Sequence, residues 1–519
     1  MRLKKTCLSK IKQYLRITKY LFITLLLVST SSSVLAQNNI NSEKPNILIL
    51  IGDDMGVESL ATFGVGKKPP TTKNLDALAQ EGVSFTNFWS QPVCSPTRAT
   101  ILTGRYGFRN GIGKPLGVND GKLPELLPKP KTASVESKRK APPSDVPQGE
   151  LQTPGAKKNP RSKPKAMDSN ESQDPALSLD EFTFPLVFGE GDLSEYKTAA
   201  IGKWHLADKK NGWLEHPNTV GFDYYSGLIG GFPEGYFSWI QIENGVATPT
   251  TGYTPNQKVE DAARWIKQRG EDPWLLWLAF NLPHDPLHLP PENLLQEDHS
   301  DLNPQDEPSK NPHPYFKTMM ETLDTKIGHL LANIDPKVLD NTYIIFLGDN
   351  GTERSVVEQP FSTEHAKGSL YQGGINVPLI ISGPGVVEGQ LSTALVNSVD
   401  LFSTIIEMTG TKVSSVVSST IKLDSVSALP YLSNPDMESI RDFAFADTFS
   451  GLGDKRRGNF TIRNATHKLI SFKNGERYEL YNLKNDPYEH NDLLNQKMSA
   501  QDQAQFDALK KQSTELQAL

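Results

Sequence analysis

Several short polar segments of this sequence carry side chains that can bind anions, ligate metal ions or transfer protons. Their residues, spread from position 53 to position 350, are Asp53, Asp54, Lys203, His205, His284, Asp349 and Asn350. Each segment directly follows an apolar run. In open α/β sheets, ligands bind in the crevice at the carboxyl ends of the strands. If the apolar runs form neighbouring strands, these residues share one crevice.

Five apolar runs predict those strands. They are Lys44–Ile51, Thr198–Gly202, Trp274–Phe280, Thr342–Leu347 and Val377–Ile381. Continuous apolar runs of this length are typical of strands buried on both faces, as in parallel sheets. Helix-like stretches lie between them at Thr72–Gln80, Gln257–Gln268 and Tyr315–Ile334. The alternation predicts an α/β fold with a mostly parallel central sheet.

The last hundred residues follow a different pattern. Strand-like segments occur at 460–463, 468–472 and 477–482. The last two flank Asn474-Gly475, which is a strong hairpin signal. We therefore expect a small antiparallel sheet that packs on the main domain.

The N-terminus has the three-part layout of a secretory signal. Seven basic residues, at positions 2–19, precede an apolar run at Leu21–Val28. Small residues then precede a cut after Ala36. The run is well short of the ~20 residues that a spanning helix needs, so a membrane anchor is the less favoured alternative. We expect residues 1–36 to direct export, which predicts a periplasmic or secreted protein without stable membrane insertion.

The composition excludes some classes of function. Of 519 residues, 37% are hydrophobic and 22% charged, which is too polar for a membrane protein. Beyond residue 36 the chain has 47 basic and 60 acidic residues. An acidic protein does not bind nucleic acid through its bulk charge. An anionic substrate must therefore be captured by a local site.

Residues 115–175 differ in kind from their surroundings. They hold eleven of the 37 prolines and no aromatic residue. Such a composition cannot bury enough surface to offset its ordering entropy, so we expect a mobile surface insert. A loop that becomes ordered on the substrate is the alternative.

Cys94 is the only cysteine beyond the signal, because Cys7 lies within it. An unpaired cysteine is unusual in an oxidising compartment. Cys94 begins Cys-Ser-Pro-Thr-Arg98, and Leu102-Thr-Gly-Arg105 follows. Cys-x-Pro-x-Arg followed by Leu-Thr-Gly-Arg resembles the signature of the type I sulfatases, in the alkaline phosphatase superfamily. The resemblance covers residues 44 to about 410 well and the C-terminal segment more loosely.

This resemblance implies a modified nucleophile. In the family, a maturation enzyme oxidises the cysteine to Cα-formylglycine (3-oxoalanine), whose aldehyde becomes hydrated. One hydroxyl attacks sulfur, and the other, once deprotonated, expels sulfate by re-forming the aldehyde. Thr97 replaces the more usual Ser or Ala, and we expect the maturation enzyme still to accept the segment.

The resemblance also implies a metal site. Gly52-Asp-Asp54 matches the family's first acidic pair and Gly348-Asp-Asn350 its later pair. The implied ligands are Asp53, Asp54, Asp349 and Asn350, together with the nucleophile at Cys94. Three carboxylates and a carboxamide suit Ca²⁺ or Mg²⁺ better than zinc. We expect Ca²⁺, with Mg²⁺ as the alternative.

Matching segments imply roles for five further side chains. Lys203 is implied to hold the nucleophile and sulfate, and His205 to take the gem-diol proton. Arg98 is implied to orient the nucleophile through its fork of donors. His284 is the implied proton donor to the leaving oxygen, and Lys367 the second residue near that oxygen.

The predicted function is hydrolysis of a sulfate ester in a sulfated carbohydrate. A phosphonate monoester or phosphodiester hydrolase that uses the same aldehyde is the alternative. A binding protein with a decayed site would have lost a ligand, a lysine or a histidine, and none is lost. A two-zinc phosphatase would need several histidine ligands and a Ser or Thr nucleophile, which these motifs do not provide.

Contacts to the sugar are less constrained by the sequence. An aromatic-rich stretch contains Trp213, Tyr224, Tyr225, Phe232, Tyr236, Phe237 and Trp239. These rings could stack on sugars, although core packing is the commoner role for most of them. Asp285 and His288 are the candidate sugar contacts.

The expected organisation has three parts. Residues 1–36 form the signal peptide, residues 37–435 a catalytic domain with an alkaline-phosphatase-like α/β/α sandwich, and residues 436–519 a small C-terminal subdomain. The expected partners are a sulfated saccharide, the formylglycine-generating enzyme and the export machinery. No nucleic acid partner is expected.

Overall fold

The computed structural model describes residues 44–117, 176–303, 305–451 and 457–518. The expected signal peptide at 1–36 lies outside the described residues, as does the expected insert except for residues 115–117. Within the described ranges, no helix is both long enough and apolar enough to cross a membrane.

Sixteen strands and eleven helices are used below to locate the site within the described chain. The strands are β1 (Asn46–Gly52), β2 (Gly82–Phe85), β3 (Phe88–Trp89), β4 (Lys197–Lys203), β5 (Tyr224–Leu228), β6 (Ser238–Glu243), β7 (Val246–Thr251), β8 (Trp274–Ala279), β9 (Thr342–Gly348), β10 (Leu379–Ser382), β11 (Gln390–Ser392), β12 (Val396–Asn397), β13 (Ala444–Ser450), β14 (Arg457–Arg463), β15 (His467–Phe472) and β16 (Arg477–Asn482). The helices are α1 (Lys73–Gln80), α2 (Cys94–Thr103), α3 (Gly107–Asn110), α4 (His216–Thr219), α5 (Thr254–Lys267), α6 (Pro312–Ala332), α7 (Pro336–Asp340), α8 (Gln372–Ile375), α9 (Asp400–Met408), α10 (Val413–Val416) and α11 (Ala500–Ala518).

The central sheet has ten strands in the order β11-β2-β10-β9-β1-β8-β4-β5-β6-β7. Its middle strands, from β9 to β5, are all parallel. This confirms the predicted mostly parallel sheet. The last predicted strand, β10, runs antiparallel to both β9 and β2, an orientation that its apolar composition alone does not distinguish.

The middle strands are buried on both faces because each face contributes to its own core. In β1, Ile47, Ile49 and Ile51 pack into one apolar cluster. Leu48 and Leu50 point to the opposite face and pack into a second cluster. Side chains alternate along a strand, so an uninterrupted apolar run fills both cores at once.

Helices cover both faces of the sheet and complete the predicted α/β/α sandwich. Apolar residues of α2 and α9 pack into the first cluster. Those of α1, α5 and α6 pack into the second cluster. Because helices cover both faces of the sheet, its polar groups are accessible to ligands at the carboxyl ends of the strands.

A second, four-stranded antiparallel sheet follows in the order β13-β14-β15-β16. The hairpin between β15 and β16 turns at Lys473–Gly475, where Asn474 has a φ of 56°. This confirms the hairpin that the Asn-Gly pair predicts. Trp89 and Ile375 of the main body pack in one cluster with Ala444, Ile470 and Tyr481 of this sheet.

Glu58 is a buried acid in the short 3-10 turn that follows β1, and it makes stability depend on pH. Its side chain is 2% exposed. Burial raises its pKa from 4.5 to about 7. The folded state therefore binds a proton more tightly than the unfolded state between these values, and stability falls as the pH rises through this window.

We expect the substitution Glu58→Gln to remove this pH dependence. The gain in unfolding free energy over the wild type should be larger at pH 8.5 than at pH 4.5, by about 3 kcal/mol. Urea unfolding at both pH values measures this, with the exposed Glu81→Gln as control. A gain that is the same at both pH values would contradict the prediction.

Candidate active site

The predicted crevice exists at the carboxyl ends of four adjacent parallel strands. Asp53 and Asp54 follow β1, and Asp349 and Asn350 follow β9. Lys203 ends β4, and His205 comes just after it. His284 follows β8 by a short turn. The structure thus brings together all the residues that the apolar runs predicted to share a crevice.

Each buried carboxylate of this crevice contacts one cationic side chain. Lys203 Nζ donates to Asp53 Oδ1 and Oδ2 at 2.9 and 2.7 Å. Lys367 Nζ donates to Asp54 Oδ2 at 2.6 Å. Arg98 Nε and Nη2 donate to Asp349 Oδ2 at 3.1 and 2.8 Å. Three acids and three cations make these side chains neutral overall.

The pKa shifts of these groups follow from burial and from this pairing. Burial and the neighbouring Asp53 carboxylate together raise the pKa of Asp349 to about 6. Burial also works against the charge of Asp54, but His284 and Lys367 outweigh it and lower the pKa. Burial opposes the charge of Lys367 too, yet the Asp54 carboxylate raises its pKa. Lys367 is therefore a fixed positive charge.

Arg98 connects the ends of two strands that carry the site. Its third nitrogen, Nη1, donates to the backbone carbonyl of Lys203 at 2.8 Å. The guanidinium is fully buried. Arg98 therefore ties the residue after β9 to the end of β4, so it acts on the site through Asp349 and Lys203.

The oxygen-rich part of the crevice fits a divalent cation. Ligand atoms of Asp53, Cys94 and Asp349 all lie within 4.8 Å of one another, and those of Asp53, Asp54 and His284 do so as well. Asn350 Nδ2 donates to Asp54 Oδ1 at 2.8 Å. Among the described residues, the buried Asn350 Oδ1 has no hydrogen-bond partner. A buried acceptor without a donor is costly, and a hard cation would satisfy it.

Cys94 is the first residue of α2 and lies inside this crevice. It is 4% exposed, and burial raises the pKa of its thiol. Its Sγ is 3.4 Å from Nδ1 of His205. Every residue of α2 is buried, so the helix is a fixed base for the side chain at its first position. A raised thiol pKa does not favour an ordinary thiolate nucleophile.

His205 is held in one tautomer by a backbone carbonyl. Its Nε2 lies 2.8 Å from the carbonyl oxygen of Leu116, so Nε2 carries the proton and donates it. Nδ1 is then unprotonated and faces Cys94. Burial lowers the pKa of His205 well below its usual value, and Lys203 lowers it further. The ring is a neutral acceptor aimed at residue 94.

The backbone around His205 is specialised for this placement. His205 has a φ of 62° and Asp54 a φ of 70°, the left-handed region that side chains other than glycine rarely adopt. Gly231 faces the imidazole so closely that a Cβ there would lie 2.7 Å from Cε1 and 2.9 Å from Nε2. Only glycine leaves room for the ring at this point.

The two segments that flank residues 118–175 are both hydrogen-bonded at or next to this histidine. Leu116 accepts the His205 hydrogen bond, and its own N–H donates to Ser95 Oγ at 3.2 Å. Leu177 N–H donates to the carbonyl of the next residue, Leu206, at 3.1 Å. Consecutive residues after β4 therefore anchor both flanks.

His284 presents one nitrogen to the crevice. Its Nδ1 lies 3.0 Å from the carbonyl oxygen of Asp285, and its Nε2 lies 3.6 Å from Asp54 Oδ2. Burial lowers its pKa, whereas Asp54 acts in the opposite direction. With Nδ1 as the donor to Asp285, Nε2 is the atom that can exchange a proton with a ligand.

The backbone that carries His284 is fixed by a tyrosine, which sequence reasoning did not assign to the site. Tyr236 Oη lies 2.6 Å from the carbonyl oxygen of Asn281 and 2.8 Å from that of His284. Tyr236 is one of the aromatic residues in the aromatic-rich stretch at 213–239, and nothing in the sequence there distinguishes it from the others. Leu116 and Gly231 were missed for the same reason, since their contacts are long-range.

The two candidate sugar contacts lie beside His284, in different environments. Asp285 is exposed. His288 is partly buried, with Nε2 3.0 Å from Tyr253 Oη and Nδ1 3.0 Å from the Pro286 carbonyl. Burial lowers its pKa to about 4. Both ring nitrogens of His288 thus contact protein atoms in this structure, and a contact of Asp285 or His288 with a sugar stays a prediction.

Comparison with known families adds an independent finding. The family model described as Sulfatase matches residues 45–133 and 183–411, which is more than half of the chain. A second model, described as N-sulphoglucosamine sulphohydrolase, C-terminal, matches residues 364–518. The matched ranges contain all the crevice residues described above.

Individual relatives are distant. Arylsulfatase G of Rattus norvegicus is 26% identical over 419 residues, which are 71% of this chain and 65% of the rat protein. This chain therefore spans less than two thirds of that relative. A protein named Sulfatase from Formosa agariphila is 24% identical over 536 residues, with 95% of this chain and 91% of that protein covered.

A solved structure shares the fold. The structure described as Ps i-CgsB in complex with k-i-k-neocarrahexaose superposes with a TM-score of 0.67 at 22% identity, covering 92% of this chain and 93% of that one. At this identity the likeness concerns the fold alone.

We expect Ca²⁺ to stabilise the chelator-treated protein, because the carboxylate oxygens would coordinate it and it would satisfy Asn350 Oδ1. Asn350→Ala should weaken the affinity for Ca²⁺, measured without substrate, by about 10- to 100-fold. Titration calorimetry with CaCl₂, and then MgCl₂, measures this. Asn376→Ala is the matched control, because Asn376 is also buried with an unpartnered Oδ1 among the described residues but is outside the carboxylate cluster. Equal affinities in the two variants would contradict the assignment.

Proposed function

The chain belongs to the sulfatase family, and from this premise we propose that it is an exported enzyme that hydrolyses sulfate esters of a sulfated carbohydrate. The observation that carries the proposal is the position of Cys94. It begins the buried helix α2, 3.4 Å from the neutral Nδ1 of His205 and within the carboxylate and lysine cluster. Burial raises the pKa of an unmodified thiol here, so these surroundings do not activate it as a nucleophile.

The site suits a formylglycine derived from Cys94. A hydrated aldehyde at this position would supply one hydroxyl as the nucleophile toward sulfur and a second hydroxyl whose deprotonation would expel sulfate as the aldehyde re-forms. His205 Nδ1 is the acceptor for that proton, because Nε2 already donates to Leu116. The low pKa of His205 keeps the acceptor unprotonated before the reaction.

The residues that would hold the metal ion are Asp53, Asp54, Asp349 and Asn350, with the modified residue 94. A bound Ca²⁺ or Mg²⁺ supplies excess positive charge that attracts and polarises the sulfate group. Without an ion the cluster's side chains are neutral overall, because Lys203, Lys367 and Arg98 balance the three acids. The oxygen ligands favour these hard cations over zinc.

The lysines and His284 act on the substrate. Lys203 Nζ, next to Asp53, holds the sulfate and the nucleophile electrostatically. Lys367 keeps its charge because Asp54 raises its pKa, so it stabilises negative charge on the leaving oxygen without giving up a proton. His284 is the proton donor to that oxygen through Nε2, and Asp54 is the group that favours its protonated form.

The carbohydrate part of the proposal has two supports. The fold neighbour Ps i-CgsB was solved with k-i-k-neocarrahexaose. In this chain, Phe232 stacks on the His284 ring and the exposed Asp285 follows it, where the leaving group would lie. Export through a signal at residues 1–36, with a catalytic domain at 37–435 and a subdomain at 436–519, fits an enzyme that acts on external polysaccharide. A sulfated saccharide, a formylglycine-generating enzyme and the export machinery are the proposed partners.

Protein produced together with a formylglycine-generating enzyme should carry an aldehyde at Cys94 and hydrolyse sulfate esters. Cys94→Ala should lower turnover by at least about 10³-fold and leave the fold intact, because it removes the nucleophile without changing the backbone of the buried helix α2. Peptide mass spectrometry and assays with aryl sulfates, sulfated sugars, phosphonate monoesters and phosphodiesters measure this. Appreciable sulfatase activity of Cys94→Ala would overturn the mechanism. A preference for the phosphorus esters would overturn the proposed substrate.

Gly231→Ala should lower turnover by pushing the His205 ring away from residue 94. A displacement of about 1 Å at a reacting group can cost about 100-fold in rate. Gly235→Ala, in the same loop, is the matched control, since a Cβ there meets only the Ser238 carbonyl, at 3.8 Å. Steady-state kinetics with an aryl sulfate measure the effect. Equal rates in the two variants would show that the His205 position is not critical.

A further inference from the structure

Two aromatic residues of the aromatic-rich stretch at 213–239 have exposed rings beside the candidate active site. Phe232 is 38% exposed and Phe237 is 49% exposed, whereas Tyr225, Tyr236 and Trp239 of the same stretch are buried. Exposed large apolar side chains next to a polar crevice are typical of ligand contacts. Core packing, the commoner role of aromatics, does not account for these two.

Both rings rest on the segment that carries His284 and His288. Phe232 lies parallel to the His284 imidazole, with ring centroids 5.5 Å apart and an interplanar angle of 13°. Phe237 stacks on Tyr253 at 4.9 Å and meets His288 edge-on at 5.8 Å. Phe232 therefore borders His284 itself, and Phe237 borders His288, four residues further along the same segment.

The loop that carries the two rings is firmly attached. Between them, Tyr236 Oη contacts the carbonyl oxygens of Asn281 and His284. On the other side, Gly252 N–H donates to the Phe237 carbonyl at 3.0 Å and Thr254 N–H to the Tyr236 carbonyl at 2.8 Å. The rings are thus held in place before any ligand arrives, which lowers the entropy cost of binding.

The charges near the rings disfavour an additional anionic group. The loop residues 229–237 include one charged residue, Glu234, and no lysine or arginine. Glu234 and Asp285 are both exposed. Acidic side chains repel a second sulfate, but they can accept hydrogen bonds from sugar hydroxyls.

We propose that Phe232 and Phe237 form a stacking subsite for the sugar ring whose sulfate is cleaved, a ring that carries no second anionic group on this side. The inference rests on the proposed function and specifies its leaving group. One face of a pyranose ring is made of C–H groups, and it stacks on an aromatic ring while the hydroxyls at its edge reach polar groups. The adjacent sulfate then enters the crevice at Cys94.

The test uses the mature enzyme, with the Cys94 aldehyde, on a panel of singly sulfated galactose, glucosamine and fucose oligosaccharides. Phe237→Ala should raise KM for the best substrate by about three- to tenfold, while kcat stays close to that of the wild type. Phe237→Tyr should keep the wild-type KM, because it retains the ring. Phe232→Ala should raise KM and also lower kcat, since this ring packs on His284.

Two controls separate the subsite from the crevice itself. The inhibition constant of inorganic sulfate, which has no leaving group, should be unchanged in the Phe237 variants. Leu391→Ala removes another exposed apolar side chain, on strand β11 at the opposite edge of the sheet from β7, and should leave KM unchanged.

The outcomes distinguish the inference from its premise. Unchanged KM in both alanine variants, an equal loss of inorganic sulfate binding, or hydrolysis of aryl sulfates but no saccharide would overturn the stacking subsite and leave a sulfatase. Faster hydrolysis of sugars doubly sulfated on the scissile ring would overturn the charge argument. No hydrolysis of any sulfate ester by aldehyde-bearing protein would overturn the proposed function.

Discussion

The rest of the structure depends on keeping three acidic side chains buried close together. Like charges in a low-dielectric interior repel strongly, and each loses its hydration. Asp53, Asp54 and Asp349 are tolerated because each has its own cation, Lys203, Lys367 or Arg98. These cations come from three separate parts of the chain, so the cluster forms only when the whole sheet and its helices have assembled. The same arrangement leaves acidic oxygens and Asn350 Oδ1 ready for a hard cation.

The fold satisfies this constraint with its most rigid parts and adds strained or close-fitting backbone where direction matters. Parallel strands buried on both faces fix the positions of residues 53, 203 and 349 to one edge. The left-handed conformation of Asp54 and His205 then turns the side chains toward the crevice. Gly231 makes room for the imidazole, and the Leu116 carbonyl selects its tautomer. The strands thus fix the positions of these residues, and contacts from other segments fix their orientation and protonation state.

Much of the fold was predictable because buried parallel strands have a simple signature. The apolar runs before Asp53, Lys203 and Asp349 are uninterrupted, and so they predicted both the sheet and the shared crevice correctly. The orientation of β10 was not predictable, since an apolar run is equally compatible with either direction. The roles of individual residues depend on pairings between distant positions. The contacts of the Arg98 fork with Asp349 and the Lys203 carbonyl had no signal in the sequence, and its orientation of the nucleophile stays a prediction. Tyr236, Gly231 and Leu116 have no local signal, because each matters only through a neighbour some 25 to 90 positions away.

The attachment of Leu116 and Leu177 to His205 and Leu206 has a consequence for how this chain can change in length. The residues on the two sides of positions 118–175 are therefore fixed at adjacent positions of the framework. The entropy cost of joining two fixed ends by a chain grows only with the logarithm of the number of residues between them. Residues can therefore be gained or lost between positions 117 and 176 without pulling on the sheet. Because hydrogen bonds to His205 and Leu206 fix both flanks, such changes in length leave the frame of the crevice in place.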